Sequence, residues 1–251
     1  MPGDRVQLVD RVFQLLEHLA DADDAVSLSE LAQLTDLPMP TIHRLLRSLV
    51  GQGYVQQEPS KRYALGPRLI RLGESASRNL GSWVEPALAK LVAEFGETTN
   101  MAMLKGDACV YVAQVPSPQS MRMFTEVGRV VLLHCTGVGK ALLSTLTDDQ
   151  VLGILGRAGM PARTPHTITE PEAMLSELRV IRDRGYAVDE GEQELGVRCV
   201  AVPVPGLPFV GALSVSGPSS RITLSDVPRI APVLTDAAGQ IAADFRAAIP
   251  A

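Results

Sequence analysis

Apolar residues recur at helical spacing near the start of the chain, and Val9, Val12, Phe13, Leu16 and Leu19 predict an amphipathic first helix that stops in the acidic run DADD at 21–24. SLSE (27–30) has the serine and glutamate of a capping box, and Leu28, Leu31, Ala32 and Leu34 predict a short second helix. TDLP (35–38) turns the chain. PTIHRLLRSLV (40–50) opens a third helix with proline in its first turn and Ile42, Leu45, Leu46 and Leu49 as its buried stripe. After GQG, YVQQEPSKRYAL (54–65) alternates like two short strands around a turn at Glu58–Lys61. Helix, helix, turn, helix, hairpin is the order of a winged helix-turn-helix, which predicts a DNA-binding domain over residues 1–65.

GPRLIRLGESASRNLGSWVEP (66–86) places Leu69, Leu72, Ala76 and Leu80 on one helical stripe and predicts a linker helix over 66–83. From 84 to 251, helical patterns (84–95, 138–145, 170–184, 225–248) interleave with β-like runs (99–105, 109–115, 121–127, 197–204, 209–216). The chain is therefore expected to be α+β with two domains, the second a mostly antiparallel sheet covered by helices. Its most apolar stretch, 199–217, is broken by Pro203, Pro205 and Pro208, so it reads as strands and a turn and not as a membrane span.

Charge sharpens the first domain. The 251 residues carry a formal charge of -5, which taken alone argues against nucleic acid. The distribution is uneven: residues 1–37 hold two basic and eight acidic side chains, whereas residues 38–71 hold six basic ones against the single acid Glu58. That excess is a phosphate-binding footprint. Thr41, His43, Arg44, Arg47 and Ser48 on the open face of the third helix are groups that reach base edges and phosphates in a major groove, and Lys61 and Arg62 stand near the wing tip.

HCTGVGKALLS (134–144) has the outline of a nucleotide-binding loop, but His134 stands where the first glycine belongs and Ala141 where a magnesium-binding hydroxyl belongs. What remains is a glycine-rich turn opening a helix, which offers backbone N–H groups and the positive end of the helix dipole to an anion. Lys140 then reads as helix surface, and the acids Asp189, Glu190, Glu192 and Glu194 as a solvated loop. Three cysteines at wide spacing (Cys109, Cys135, Cys199) suit neither a disulfide framework nor a zinc site, and no metal or cofactor is expected. A thiol enzyme using a cysteine with His134, or a winged helix that binds a protein, are the rival readings. MPGDRVQLVD lacks the signature of a signal peptide, which predicts a cytoplasmic protein without membrane attachment.

LSELAQLTDLPMPTIHRLLRSLVGQGYV (28–55), RYALGPRLIRLG (62–73), MRMFTEVGRVVLLHCTGVGKALLS (121–144), RDRGYAVDEGEQELGVRCVAVPV (182–204) and GALSVSGPSSRIT (211–223), in this order, resemble the IclR family of bacterial transcription regulators over nearly the full length. The resemblance implies a winged helix-turn-helix joined by the linker helix to a GAF-like effector-binding domain (84–251). It also implies a repressor of double-stranded operator DNA, assembled as a homodimer or a dimer of dimers. Matched motif by motif, the effector site would comprise Gly137 and Val138 as N–H donors, Asp189, Cys199, Ser214 and Ser216, with Met123, Val131 and Val197 as walls. Paired serines facing a helix N-terminus suit a small carboxylate, and Asp189 would accept a hydrogen bond from a ligand hydroxyl, hydrated aldehyde or amide. The motifs are most similar to members that sense glyoxylate, pyruvate or ureides, among them repressors of allantoin and glyoxylate utilisation; regulators of aromatic-acid catabolism are the alternative within the family.

Overall fold

The computed structural model describes residues 6–248 except Asp23, Asp36, Gly81, Ser82 and Phe124. DADD, TDLP, the linker and the 121–127 run each contain one or two of those excepted positions, and that part of each expectation lies outside the described residues. The chain divides into two compact units, one ending at Ala76 and the other beginning at Ser77.

In the first unit, α1 (Gln7–Ala20), α2 (Leu28–Thr35) and α3 (Met39–Gly51) precede a hairpin of β1 (Val55–Gln57) and β2 (Tyr63–Leu65). The capping box forms: Ser27 N donates to Glu30 Oε2 at 2.7 Å, and Glu30 N to Ser27 Oγ at 3.3 Å. Leu15, Leu31, Ile42 and Leu46 are fully buried in the core that these elements share. One expectation is corrected here. Val9 and Phe13 are 46% and 59% exposed, because Leu15 and Leu19 take the inward positions of α1. Phe13 instead borders an apolar groove of about 440 Å³ with Leu16, Leu49, Tyr54 and Leu72. The next helix, α4 (Arg68–Leu80), carries the chain from the first unit into the second.

The second unit follows as α5 (Glu85–Phe95), β3 (Thr98–Lys105), β4 (Ala108–Val115), β5 (Val130–Val131), α6 (Gly137–Ser144), α7 (Asp148–Ala158), α8 (Pro171–Arg184), β6 (Ala187–Glu190), β7 (Val197–Val204), β8 (Gly211–Pro218) and α9 (Val227–Ala248). The six strands form one antiparallel sheet in the order β5-β4-β3-β8-β7-β6. Alternation along the strands gives it two apolar faces. Met101, Val200, Leu213 and Val215 pack under α5 and α9, and Ala102, Cys199, Ala201 and Ala212 pack under α6, α7 and α8. Pro203 sits in β7 beyond the last residue paired with β6, so its missing N–H removes no bond on that side.

Among the described residues of 121–127, the expected strand is not formed. Tyr111 N donates to Arg129 O at 3.1 Å and Gly128 N to Tyr111 O at 2.7 Å, so the chain turns at Gly128 (φ 92°) and pairs with β4 only as the two-residue β5. Besides β5, two elements had no counterpart in the pattern. α7 begins with a capping box of Thr147 and Gln150, a signal present in TDDQ, and β6 ends in Asp189 and Glu190, the first two acids of the run that read as solvated loop.

Candidate functional site

The turn that opens α6 is fixed by Thr136, whose Oγ1 accepts from Gly139 N (3.1 Å) and donates to Leu132 O (2.7 Å). This cap aims the start of the helix at the middle of β7. A Cβ on Gly137 would lie 2.7 Å from Cys199 Sγ, closer than real side chains approach, so glycine is required for the helix to come this near the sheet. Cys199 stands in register between Asp189 on β6 and Ser216 on β8. These four positions enclose the inner end of a cavity of about 90 Å³.

Seven of the nine effector residues expected from sequence line this cavity: Gly137, Asp189, Cys199 and Ser216, with Met123, Val131 and Val197 as walls. Val138 and Ser214 do not. The Val138 side chain is packed into the core beneath α6. Ser214 lies one inward step deeper on β8 opposite Asn100, fully buried, with no partner for its hydroxyl. The lining also includes Tyr111, Thr125, Arg129 and Gln193, which motif matching missed. Arg129 was legible only through the turn at Gly128, which the apolar alternation of 121–127 concealed.

The acidic segment is solvated at Glu190 and Glu194 but not at Asp189 and Glu192. Asp189 and Glu192 are 3% and 7% exposed, and Asp189 Oδ1 accepts from Glu192 N at 2.7 Å. Nor is Lys140 surface: it is 1% exposed, donates to Val188 O at 2.7 Å and pairs with Glu192 Oε1, with Glu177 Oε1 at 3.5 Å. The fourth residue of α6 therefore ties the strap after β6 to the back of the cavity. A broader groove of about 840 Å³ lies behind this strap, but its charged walls pair with one another, Arg198 with Glu190 (2.7 Å) and Arg184 with Glu177 (3.3 Å). The smaller cavity is where the motif-matched residues converge.

Burial pushes the Asp189 carboxyl up to about 7, the repulsion of Glu192 adding to it while the Glu192 N–H and Lys140 pull it back. The folded protein thus holds a proton there that the unfolded chain releases near 3.8, and the resulting stability is lost as pH rises through about 7. An anion in the cavity faces a neutral Asp189 below that point and a negative one above it. Its affinity is expected to fall between pH 6 and pH 8, approaching about tenfold per pH unit at the upper end. Titration calorimetry at constant ionic strength checks this; a rise in affinity would reverse the assigned charge.

The cysteines do not form a catalytic pair with His134. Burial holds the thiols of Cys109, Cys135 and Cys199 at about 12, 12 and 11, so they stay protonated at neutral pH. Cys135 Sγ donates to Gln193 Oε1 (2.8 Å), and His134 Nε2 is 3.0 Å from Pro161 O.

In the first unit, α3 buries Ile42, Leu45, Leu46 and Leu49 and leaves His43, Arg44 and Arg47 exposed, with Thr41 half-buried. Arg44 and Arg47 form no ion pair among the described residues. Ser48 is exposed at the border of this face, where it also lines the apolar groove. Lys61 holds the wing tip at φ 61°. Arg62 is placed differently from its neighbour: its guanidinium donates to Ala25 O (2.5 Å) and pairs with Glu30 (3.1 Å), fastening the wing to α2. Among the described residues, no helix is long and apolar enough to cross a membrane.

Comparison with known proteins agrees with both units. The IclR helix-turn-helix domain family matches residues 8–59, and the bacterial transcriptional regulator IclR C-terminal family matches residues 75–243. The acetate operon repressor of Salmonella typhimurium is 39% identical over 245 residues, covering 94% of this chain and 89% of that protein. The transcriptional repressor IclR of Escherichia coli K12 is 38% identical with the same coverage. The solved IclR transcriptional regulator from Alicyclobacillus acidocaldarius superposes with a TM-score of 0.84 at 28% identity, covering 96% of this chain and 99% of that one. With its winged helix-turn-helix and its helix-covered sheet, the chain belongs to the IclR family of DNA-binding transcriptional regulators.

Proposed function

We propose that this regulator is a repressor whose hold on its operator is set by a small carboxylate bound in the cavity at the start of α6. The observation that carries the reading is the convergence of seven motif-matched residues on one cavity, at a helix N-terminus and beside hydroxyl, thiol and carboxyl groups. A volume of about 90 Å³ is roughly that of three water molecules, which suits an oxo-acid of the size of glyoxylate or pyruvate, or one end of a ureide, better than an aromatic acid. Ligand binding acts by differential affinity for two arrangements of the protein, with α4 as the covalent route to the DNA-binding unit.

On the DNA side, α3 enters the major groove with His43, Arg44 and Arg47 toward the bases and phosphates, Thr41 and Ser48 at the edges of this face, and Lys61 on the backbone. Two copies read a pseudo-palindrome, and the groove bordered by Phe13, Leu49 and Leu72 is the surface a second copy covers. Arg62, being occupied by Glu30 and Ala25, positions the wing. In a gel-shift titration with the chain's own upstream region, Arg44→Ala is expected to weaken operator binding by about 1–3 kcal/mol and to flatten its salt dependence. Effector affinity by calorimetry is expected to stay unchanged. Unaltered operator affinity in this variant would remove α3 as the reading helix.

A further inference from the structure

The effector cavity has a second polar end that the motif matches leave unassigned. Tyr111, on β4 opposite Ala102, lines the cavity while only 5% exposed. Its hydroxyl makes no hydrogen bond among the described residues and is not one of the buried unpaired polar atoms, so it is open to the cavity and free to meet a ligand. Arg129 lines the same cavity at its exposed mouth, and its guanidinium likewise has no ion pair or hydrogen bond among the described residues. Backbone bonds from Tyr111 N to Arg129 O and from Gly128 N to Tyr111 O hold the two side chains in fixed register.

Other wall hydroxyls are already committed. Thr136 caps α6, and Thr125 donates to Asn100 Oδ1 (2.8 Å) while accepting from Gln114. Apart from the Gln193 amide, whose Oε1 accepts from Cys135, the remaining donors fall into two groups: the Gly137 turn with Ser216, and Tyr111 with Arg129. Burial raises the Tyr111 phenol well above its usual range, against a small opposing effect of the nearby Arg129 charge, so it remains a donor at any physiological pH. Arg129 is the one cation in a lining that also holds the carboxyl groups of Asp189 and Glu194, the latter exposed to solvent. A phenol and a guanidinium together make a carboxylate receptor, the guanidinium offering parallel donors to both oxygens.

We propose that the effector is a short dicarboxylate, with one carboxylate at the Gly137–Ser216 end and the other held by the Tyr111 hydroxyl and the Arg129 guanidinium. This rests on the cavity being the effector site, and narrows the ligand class. The enclosed volume of about 90 Å³ is that of a small oxo-acid, which places a second carboxylate toward the mouth, where Arg129 stands.

The test is calorimetry on the full chain with matched acids differing by one carboxylate: glyoxylate against oxomalonate, and lactate against malate. The dicarboxylate of at least one pair is expected to bind ten times more tightly or better. In Arg129→Gln and in Tyr111→Phe that ratio is expected to fall to between one and three, thermal melting showing that each variant is folded. Equal or tighter binding of the monocarboxylates overturns the proposal while leaving the cavity as the effector site. A dicarboxylate preference that survives both substitutions overturns the assignment to these side chains. Absence of binding by all four acids refutes the cavity as a carboxylate site and the dicarboxylate with it.

Discussion

Lys140→Met is expected to destabilise the second unit by about 3–5 kcal/mol, the cost of removing one partner from a buried ion pair. The wild-type ammonium is 1% exposed and serves Val188 O, Glu192 and Glu177 at once. Without it, Glu192 keeps a charge in a site only 7% exposed, and the Val188 carbonyl loses a donor. Burial already raises the Glu192 carboxyl against the pull of Lys140, so the variant's Glu192 takes up a proton more readily still. A raised carboxyl favours the folded state at low pH and loses that advantage as pH rises through its folded value. The penalty is therefore expected to be smaller at pH 5 than at pH 8. Urea unfolding at both pH values measures it, and the double variant Lys140→Met with Glu192→Met is expected to recover most of the loss, because apolar replacement of a whole buried pair is close to neutral. A single variant as stable as the wild type would show that the pair does not anchor the strap.

Gly137→Ala is expected to cost about 10–150-fold in effector affinity, which corresponds to roughly 1.5–3 kcal/mol for a hydrogen bond to a charged group. The added methyl would lie 2.7 Å from Cys199 Sγ and 3.2 Å from its Cβ, and neither side can yield freely: α6 is capped by Thr136, and β7 is paired on both edges. Helix and strand must separate, moving the N–H donors from their place and adding an overpacking cost of about 1–3 kcal/mol. Calorimetry with glyoxylate and pyruvate, alongside operator gel shifts without ligand, separates the outcomes. Operator binding is expected to persist while its response to effector is lost. Retained effector affinity in a folded variant would detach the Gly137 turn from ligand binding.

Period and capping were enough to read the winged helix from sequence: Ile42, Leu45, Leu46 and Leu49 mark the inward face of α3, and Ser27 with Glu30 mark the start of α2. The cavity walls at Asp189 and Cys199 came from motif resemblance, since neither carries a distinctive local pattern. Lys140 was misread because one-dimensional spacing places a lysine outside the helix; its partner Glu192 lies 52 residues away. Asp189 and Glu192 looked solvated because acids in a row ordinarily are, and only the strap folding back over α6 buries them. Tyr111 and Arg129 were invisible for a related reason: their pairing depends on a turn at Gly128, just beyond the run that reads as a strand.

The sheet of the second unit ends in β5, with two residues, on one side and β6, with four, on the other. An open sheet edge is a template for pairing with another chain, and long flat edges invite aggregation. Here each margin is too short to seed such growth, and the β6 margin carries two carboxylates, Asp189 turned inward and Glu190 held outward against Arg198. The long, apolar β3, β8 and β7 are enclosed between them. The brevity of both margins guards the protein against edge-to-edge association.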